Sequence, residues 1–327
     1  MSFPFQIYWM VGLSALAVTA VSLPLWRRVC VRIGLVDDPG HRKIHDTPIP
    51  LAGGLAVLTG LVVPLIAGAL ALALAPSGWL GSNTADLLSY GLGRRTIPLL
   101  AMLAGGLGMV ALGVLDDRHE LRPAAKFSGQ FLIAALVAAA GVRITLFVEN
   151  PIFSYAVTIL WILTVTNACN FMDNMNGLCA GLGFIAAWGF AWVAAVQGQY
   201  LVAATEFLFC GALLGFLPFN FPRARVFLGD AGSHLIGYLL AVMAILPHFY
   251  TPKGASMLAV LKPLLILAVI LGDLVWVVAL RTRIGQPFWI GDTNHLSHRL
   301  VRRGLSRTSA VLVIWLLAAV AAGLAFI

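Results

Sequence analysis

The stretch Asn167-Ala168-Cys169-Asn170-Phe171-Met172-Asp173-Asn174-Met175-Asn176-Gly177-Leu178 sets four asparagines and one aspartate between two long apolar segments. Polar groups within or beside a bilayer are costly, so they commonly mark a site. Asn170 and Asp173 are three residues apart and share a face if the stretch is helical. Such a face binds a hard cation or hydrogen-bonds a base or sugar. The alternative is a solvated loop between two membrane helices, with Asn176-Gly177 as its turn.

The composition of the whole chain excludes an ordinary soluble protein. Of its 327 residues, 60% are hydrophobic and 10% charged, and the mean hydropathy is +0.94. Apolar runs near the roughly 20 residues needed to cross a bilayer recur throughout. Helices satisfy their own backbone hydrogen bonds in lipid. The sequence therefore predicts an all-α, polytopic integral membrane protein with a single transmembrane domain, 1–327.

The charge pattern predicts how this protein lies in the membrane. Five loops on one side, with their adjoining span ends, hold 16 of the 21 lysines and arginines, which places them in the cytoplasm. The net charge of +8 then needs no nucleic acid partner. We predict a multi-pass protein of the inner (plasma) membrane with both termini on the extracytoplasmic side. The five loops, called the polar loops below, are 26–50, 116–123, 167–176, 219–232 and 281–307. The ten predicted spans are 5–25, 51–75, 97–115, 124–140, 151–166, 177–196, 201–218, 233–247, 257–280 and 308–327.

The N-terminal segment and the cysteines give no pattern of a cleaved signal peptide or of disulfide bonds. The first apolar run precedes Arg27 and Arg28 rather than following them, so we expect no cleavable signal. The four cysteines form no CxxC pair, so the sequence predicts neither a disulfide framework nor a zinc site.

Carboxylates gather on the same side of the membrane as the basic residues. Asp116 and Asp117 end one span, and such a pair suits Mg²⁺ or a general base. Lys126 begins the next span, where its ammonium can meet a phosphate. Asp230 precedes another apolar helix, either as an N-cap or as a further carboxylate of a cation site.

Two of the polar loops carry cations of the kind that bind phosphate. Lys43 and His45 lie in the first polar loop, and His295, His298 and Arg299 lie in the last. Arginine, lysine and histidine donate charge-assisted hydrogen bonds to phosphate oxygens. The alternative for the first loop is a basic segment beside the membrane. The HxxH spacing in the last loop lacks a soft third ligand, so it does not predict zinc.

Together these blocks resemble the polyprenyl-phosphate N-acetylhexosamine-1-phosphate transferases, in particular their WecA/TagO-like branch. The resemblance spans about residues 35–300. Its blocks are LVDDPGHRKIHDTPIPLAGG at 35–54, GVLDDRHE at 113–120, NACNFMDNMNGL at 167–178, FLGDAGS at 227–233 and GDTNHLSHRL at 291–300. It implies Mg²⁺ (or Mn²⁺), a UDP-N-acetylhexosamine donor, undecaprenyl phosphate as acceptor within the lipid bilayer, and a homodimer as a candidate assembly.

The resemblance also implies roles for single residues. Catalysis falls to Asp116, Asp117 and Asp173, and the metal to Asn170 and Asp230. The predicted substrate-binding residues are Lys43, His45, Lys126, Asn176, His295, His298 and Arg299, with Asn176 at a uracil-binding position. The implied reaction moves N-acetylhexosamine-1-phosphate, with GlcNAc-1-phosphate as the first choice, onto the lipid and releases UMP.

The sequence departs from the pattern of the family at three positions. Asn174 stands where the family often has Gly, and Asn176 where it often has Asp. Ser297 replaces the middle histidine of the last motif. The departure at Ser297 leaves the donor sugar open. The alternatives are a phospho-MurNAc-pentapeptide transferase and, from another class, a transporter of an anionic solute; a purely structural membrane protein leaves the clustered Asn and Asp unexplained.

Overall fold

A computed structural model of the chain describes residues 4–39, 47–74, 82–145, 148–247 and 261–326, with the backbone alone at 82–92, 94 and 95. The antiparallel strands are β1 (Val36–Asp37) and β2 (Ile49–Pro50). The helices in this part of the chain are α1 (Phe5–Ile33), α2 (Gly53–Leu74), α3 (Ser82–His119), α4 (Pro123–Ala139), α5 (Pro151–Met172), α6 (Leu178–Val196), α7 (Tyr200–Asn220), α8 (Gly229–Met243), α9 (Lys262–Ile266), α10 (Ala268–Arg283), α11 (Leu296–Arg302) and α12 (Arg307–Leu324).

The length and composition of these helices confirm the predicted fold class. Among the described residues, seven helical segments are long and apolar enough to cross a membrane, namely α1, α2, Thr96–His119 of α3, α5, α6, α7 and α12. The other three predicted spans, 124–140, 233–247 and 257–280, overlap α4, α8 and α10, which have 17, 15 and 16 residues. The total of ten spans and the side of the termini stay predictions.

Helix α8 lies at the centre of the bundle. Its residues from Ala231 to Met243 are all buried, and it packs against α2, α3, α5 and α6. Small residues allow this close packing. A Cβ atom on Gly113 of α3 would overlap the backbone of Ala231, and one on Gly54 of α2 would overlap the backbone of Gly232. Glycine at these two positions therefore brings α2 and α3 against the first turn of α8.

Strand β2 connects the first polar loop to the segment that precedes α8. The backbone N–H of Phe227 donates to the carbonyl of Pro50 at 3.0 Å. The N–H groups of Gly53 and Gly54 donate in turn to the carbonyls of Phe227 and Leu228. These hydrogen bonds fix the start of α2 and the start of α8 relative to each other.

The helices extend further into the polar loops than the hydropathy predicted. Helix α3 continues to His119 and α5 to Met172, so Asp116, Asp117 and Asn170 lie in the last turns of helices. Hydropathy marks where side chains leave the lipid, whereas a helix continues as long as its backbone hydrogen bonds are made. The polar face predicted for a helical 167–176 stretch is therefore present up to Met172.

Candidate active site

A polar cleft of about 1690 Å³ opens where α3 and α5 end and α8 begins. All five polar loops contribute to its lining, for example through Asp37, Asp116, Asn170, Asp230 and His298. These residues are far apart in the sequence. The fold brings them to one end of the bundle because α3 and α5 both pack against α8.

The centre of the polar cleft is an ion cluster around Lys126. Its ammonium lies 2.7 Å from Oδ2 of Asp116 and 2.9 Å from Oδ2 of Asp230. It also donates to Oδ1 of Asn170 at 3.4 Å, while Nδ2 of Asn170 donates to Oδ1 of Asp230 at 2.7 Å. The side chains of Lys126 and Asp116 are only 16% and 8% exposed, so water weakens these contacts little. The sequence predicted the four residues but not their contacts.

Asp117 has a different task from its neighbour Asp116. Its Oδ1 accepts the backbone N–H of Asp230 at 2.8 Å, and its Oδ2 accepts that of Ala231 at 3.2 Å. The first N–H groups of a helix lack partners within the helix, and the N-cap residue Leu228 offers no side-chain hydrogen bond. Asp117 of α3 therefore caps α8, and the interpretation of Asp230 as an N-cap is wrong. The carboxylate of Asp230 is thereby left to the ion cluster.

The carboxyl groups of the polar cleft differ in their affinity for a proton. Burial raises the pKa of Asp173 to about 8, and the negative charges of Asp230 and Asp117 act in the same direction. Burial alone would also raise the pKa of Asp230, but the Lys126 ammonium outweighs it and holds that pKa at about 2. Asp173 therefore holds a proton much more readily than Asp230 does.

The oxygen atoms of the ion cluster fit a hard divalent cation. Asp116 and Asp230 offer carboxylate oxygens and Asn170 a carboxamide oxygen, the ligand types that Mg²⁺ prefers and that also suit Mn²⁺. Asp116, Asp230 and His234 each place one ligand atom within 4.8 Å of the others. Because the Lys126 ammonium contacts the same carboxylates, a cation and Lys126 would divide these oxygens between them.

The turn between α5 and α6 is held by asparagines. Nδ2 of Asn176 donates to the carbonyl of Pro222 at 3.2 Å. The N–H of Gly177 donates to Oδ1 of Asn220 at 2.6 Å, and Nδ2 of Asn220 donates to the carbonyl of Val226 at 2.9 Å. Gly177 has a φ of 76°, which favours glycine. Asn176 lines the polar cleft, and its role in binding uracil stays a prediction.

Of the three basic residues predicted in the last polar loop, only His298 lines the polar cleft. His295 is 4% exposed and its Nδ1 lies 2.6 Å from Oδ2 of Asp273. The guanidinium of Arg299 stacks over the ring of Trp276 at 4.4 Å. Burial lowers the pKa of His298, and the nearby positive side chains lower it further. The structure therefore places one of the three, His298, in the lining of the cleft, and the phosphate-binding roles of all three stay predictions.

Arg281, which the sequence analysis only counted among the basic residues of the polar loops, anchors the last of these loops. Its side chain is fully buried, its Nε donates to Oδ2 of Asp292 at 3.0 Å, and its guanidinium lies 5.0 Å from the ring centre of Phe171. Burial would raise the pKa of Asp292, but the hydrogen bond from Arg281 holds it well below the usual range. The loop that leads to α11 is thus tied to α10 and α5.

A second polar network escaped the sequence analysis. Nδ2 of Asn167 donates to Oε1 of Gln130 at 2.6 Å, and Nε2 of Gln130 lies 3.4 Å from Nε2 of His234. Gln130 and His234 are both fully buried. The sequence signal for this network was Gln130, a lone glutamine in the apolar 124–140 span. A buried carboxamide requires hydrogen-bond partners, so such a residue predicts polar neighbours.

Two predicted substrate-binding residues, Lys43 and His45, lie outside the described residues. Their roles stay predictions. The described ends of the same polar loop reach the cleft through Asp37 and Ile49.

Comparison with known proteins shows which family of enzymes this chain resembles. The family described as "Glycosyl transferase family 4" matches residues 99–248. The chain is 31% identical to the "Probable undecaprenyl-phosphate N-acetylglucosaminyl 1-phosphate transferase" of Bacillus subtilis (strain 168), over 93% of this chain and 80% of the relative. It is 34% identical to the "Decaprenyl-phosphate N-acetylglucosaminephosphotransferase" of Mycolicibacterium smegmatis, over 94% and 78%.

A more distant relative is consistent with the same assignment. The chain is 27% identical to the "Undecaprenyl-phosphate alpha-N-acetylglucosaminyl 1-phosphate transferase" of Salmonella typhi, over 95% of this chain and 81% of the relative. The matches cover nearly the whole chain. The chain therefore belongs to the polyprenyl-phosphate N-acetylhexosamine-1-phosphate transferases, in their WecA/TagO-like branch, as the sequence motifs predicted.

Proposed function

We propose that this protein transfers GlcNAc-1-phosphate from UDP-GlcNAc to undecaprenyl phosphate and releases UMP. The product is a lipid-linked sugar pyrophosphate that primes a cell-surface glycan. The names of the relatives support the transferred group and a polyprenyl phosphate acceptor. The observation that carries the proposal is the ion cluster of Lys126, Asp116 and Asp230 at the centre of the polar cleft.

The reaction brings two anions together, which explains the need for such a cluster. A phosphate oxygen of the lipid attacks the β-phosphorus of the donor, and the bond from that phosphorus to the oxygen bridging to UMP breaks. Positive charge fixed in a partly dehydrated cleft lowers the cost of this approach. Lys126 supplies such charge, and His298, which also lines the cleft, supplies a hydrogen-bond donor.

The family and the oxygen ligands together imply a divalent cation. Asp116, Asn170 and Asp230 would hold it, and when bound it neutralises charge on the diphosphate. Asp116 and Asp173 are the candidate groups for keeping the lipid phosphate deprotonated. Asp117 acts through α8, because its two oxygens orient the turn that carries Asp230.

The location of the reaction is part of the same proposal. The excess of lysine and arginine in the polar loops supports a cytoplasmic cleft in the plasma membrane. The lipid phosphate then reaches the cleft from the inner leaflet, and the UDP-sugar reaches it from the cytoplasm. A homodimer remains a prediction from the family resemblance.

The proposal is tested by UMP release from purified protein with undecaprenyl phosphate and Mg²⁺. UDP-GlcNAc, UDP-GalNAc and UDP-MurNAc-pentapeptide are compared as donors, with reactions lacking lipid or containing EDTA as controls. We expect release with UDP-GlcNAc that requires both lipid and metal. Release only with UDP-MurNAc-pentapeptide would replace the proposed donor. Counterflow of UDP-sugar into proteoliposomes without lipid phosphate, and no UMP release, would favour a transporter.

A further inference from the structure

Ser297 and Asn174 form a contact that links two sides of the polar cleft. Ser297 lies in the first turn of α11 and is fully buried, so it cannot touch a substrate directly. Its Oγ lies 2.6 Å from Oδ1 of Asn174. Asn174 belongs to the turn after α5 and lines the polar cleft together with its neighbours Asp173 and Met175. The two side chains therefore join α11 to the turn that carries Asp173 and Asn176.

The direction of this hydrogen bond follows from the second bond of Asn174. Its Nδ2 donates to the carbonyl of Phe171 at 2.7 Å, and a carbonyl oxygen can only accept. The carboxamide is thus oriented with Oδ1 towards Ser297, whose hydroxyl must donate. Loss of the hydroxyl would leave this oxygen without a partner, which costs more than the hydrogen bond itself contributes.

Helix α11 has a further polar attachment at its N-terminus. The N–H of Leu296 donates to Oδ1 of Asp273 at 2.6 Å, and the other oxygen of Asp273 contacts His295. This attachment holds α11 to α10. Ser297 holds α11 to the turn after α5, and the next residue, His298, lines the polar cleft.

Ser297 and Asn174 are also two of the three positions at which the sequence departs from the pattern of its family. Here the carboxamide of Asn174 fills the contact, and Ser297 is the small partner.

We propose that the hydrogen bond from Ser297 to Asn174 is a positioning contact that sets the distance between His298 and the α5–α6 turn, and thereby the affinity for the UDP-sugar donor. The inference rests on the proposed function, because it assigns His298 and the α5–α6 turn to the binding of one donor molecule. Neither side chain takes part in the chemical step. The contact should therefore affect donor binding more than turnover.

The first test separates donor binding from turnover in Ser297→Ala. We expect the KM for UDP-GlcNAc to rise about 5- to 10-fold, as for loss of one hydrogen bond that leaves a buried acceptor unpaired. The kcat and the KM for undecaprenyl phosphate should stay within about twofold of wild type. Ser297→Thr keeps the hydroxyl and should recover most of the donor affinity. Thr282→Ala, which removes an exposed hydroxyl from α10, is the matched control and should leave all three constants unchanged.

Two outcomes of this test would overturn the proposal. One is an unchanged KM for the donor in Ser297→Ala. The other is a fall in kcat of similar size with an unchanged KM for the donor. It would mean that the hydroxyl supports only the reacting geometry or the fold.

The second test exchanges the sizes of the two side chains. Ser297→His places an imidazole where the carboxamide of Asn174 lies, so we expect a lower unfolding temperature and weaker donor binding. Asn174→Gly removes the obstacle, and the double variant should be more stable and bind the donor more tightly than Ser297→His alone. Additive losses in the double variant would contradict a direct contact.

Thermal unfolding makes these results independent of the proposed function. If wild-type protein released no UMP with any UDP-sugar, the proposed function would fail, and the donor-affinity part of the inference with it. The coupling between Ser297 and Asn174 in unfolding temperature would still decide whether the contact positions α11. A coupled pair together with an unchanged donor KM would reject the positioning role while leaving the proposed function intact.

Discussion

Lys126 is the residue on which the chemistry of the polar cleft depends. Its ammonium binds the carboxylates of Asp116 and Asp230, which come from α3 and α8. Each carboxylate alone would be costly to bury, and together they would repel one another. The Lys126 ammonium stabilises the two carboxylates in the cluster. A divalent cation would share their oxygens with this ammonium.

We predict different outcomes for the two neighbouring aspartates. Asp116→Asn keeps an acceptor for the N–H of Leu121 but loses the charge facing Lys126, so UMP release should fall about 100-fold or more at little cost in stability. Asp117→Asn can accept only one of the two N–H groups of α8, so it should lose activity and also about 1–3 kcal/mol of stability. Activity assays and thermal unfolding measure the two effects. Equal losses of stability in both variants would contradict the division of roles.

We also predict how Lys126→Met changes the response to Mg²⁺. Without the ammonium, Asp116 and Asp230 face each other, so the unfolding temperature in EDTA should fall below that of wild type. Mg²⁺ should then raise it by at least about 2 °C more than in wild type, because the cation no longer shares its ligands. Arg122→Met removes an exposed charge from the start of the same helix and is the control. A smaller Mg²⁺ response in Lys126→Met than in wild type would count against a cation site here.

At the scale of elements, the N-terminus of α8 determines the geometry of the site. Helices α2 and α3 approach its first turn through Gly54 and Gly113, and Asp117 caps that turn. The position of Asp230 relative to Asp116 is therefore set by the packing of helices. Loop flexibility has little part in it.

Gly113→Ala tests this packing directly. The added methyl group would overlap the backbone of Ala231, so α3 must move away from α8. A displacement of about 1 Å at a catalytic site costs on the order of 100-fold in rate, and we expect UMP release to fall by that order. Gly93→Ala in the same helix meets open space and should keep full activity. Wild-type activity in Gly113→Ala would show that the close approach does not matter.

The sequence predicted single residues of the site better than their contacts. Asp116, Asn170 and Asp230 were identifiable because hard ligands are rare in so apolar a chain. The capping of α8 by Asp117 was not, since it depends on the register between helices that are distant in sequence. The same reason hid the bond between Ser297 and Asn174 and the contact between His295 and Asp273.

At the scale of the whole molecule, the charge bias and the polar cleft point to one working face. The cysteines provide a way to test its side, because all four native thiols are buried. Arg118 lies on the face of the cleft, and Glu149 lies in the segment after α4; both are exposed. We predict that an impermeant maleimide labels Glu149→Cys in intact cells and Arg118→Cys only after permeabilisation. The reverse pattern would place the cleft outside the cytoplasm.

The most direct test of the central claim follows the β-phosphorus of the donor. UDP-GlcNAc labelled at that atom is incubated with the protein, undecaprenyl phosphate and Mg²⁺, and the lipid and water-soluble products are separated. Attack on the β-phosphorus predicts that all transferred label enters the lipid together with the sugar and that the nucleotide product is unlabelled UMP. Release of labelled UDP, with the sugar alone on the lipid, would contradict phosphosugar transfer and with it the assignment of the polar cleft.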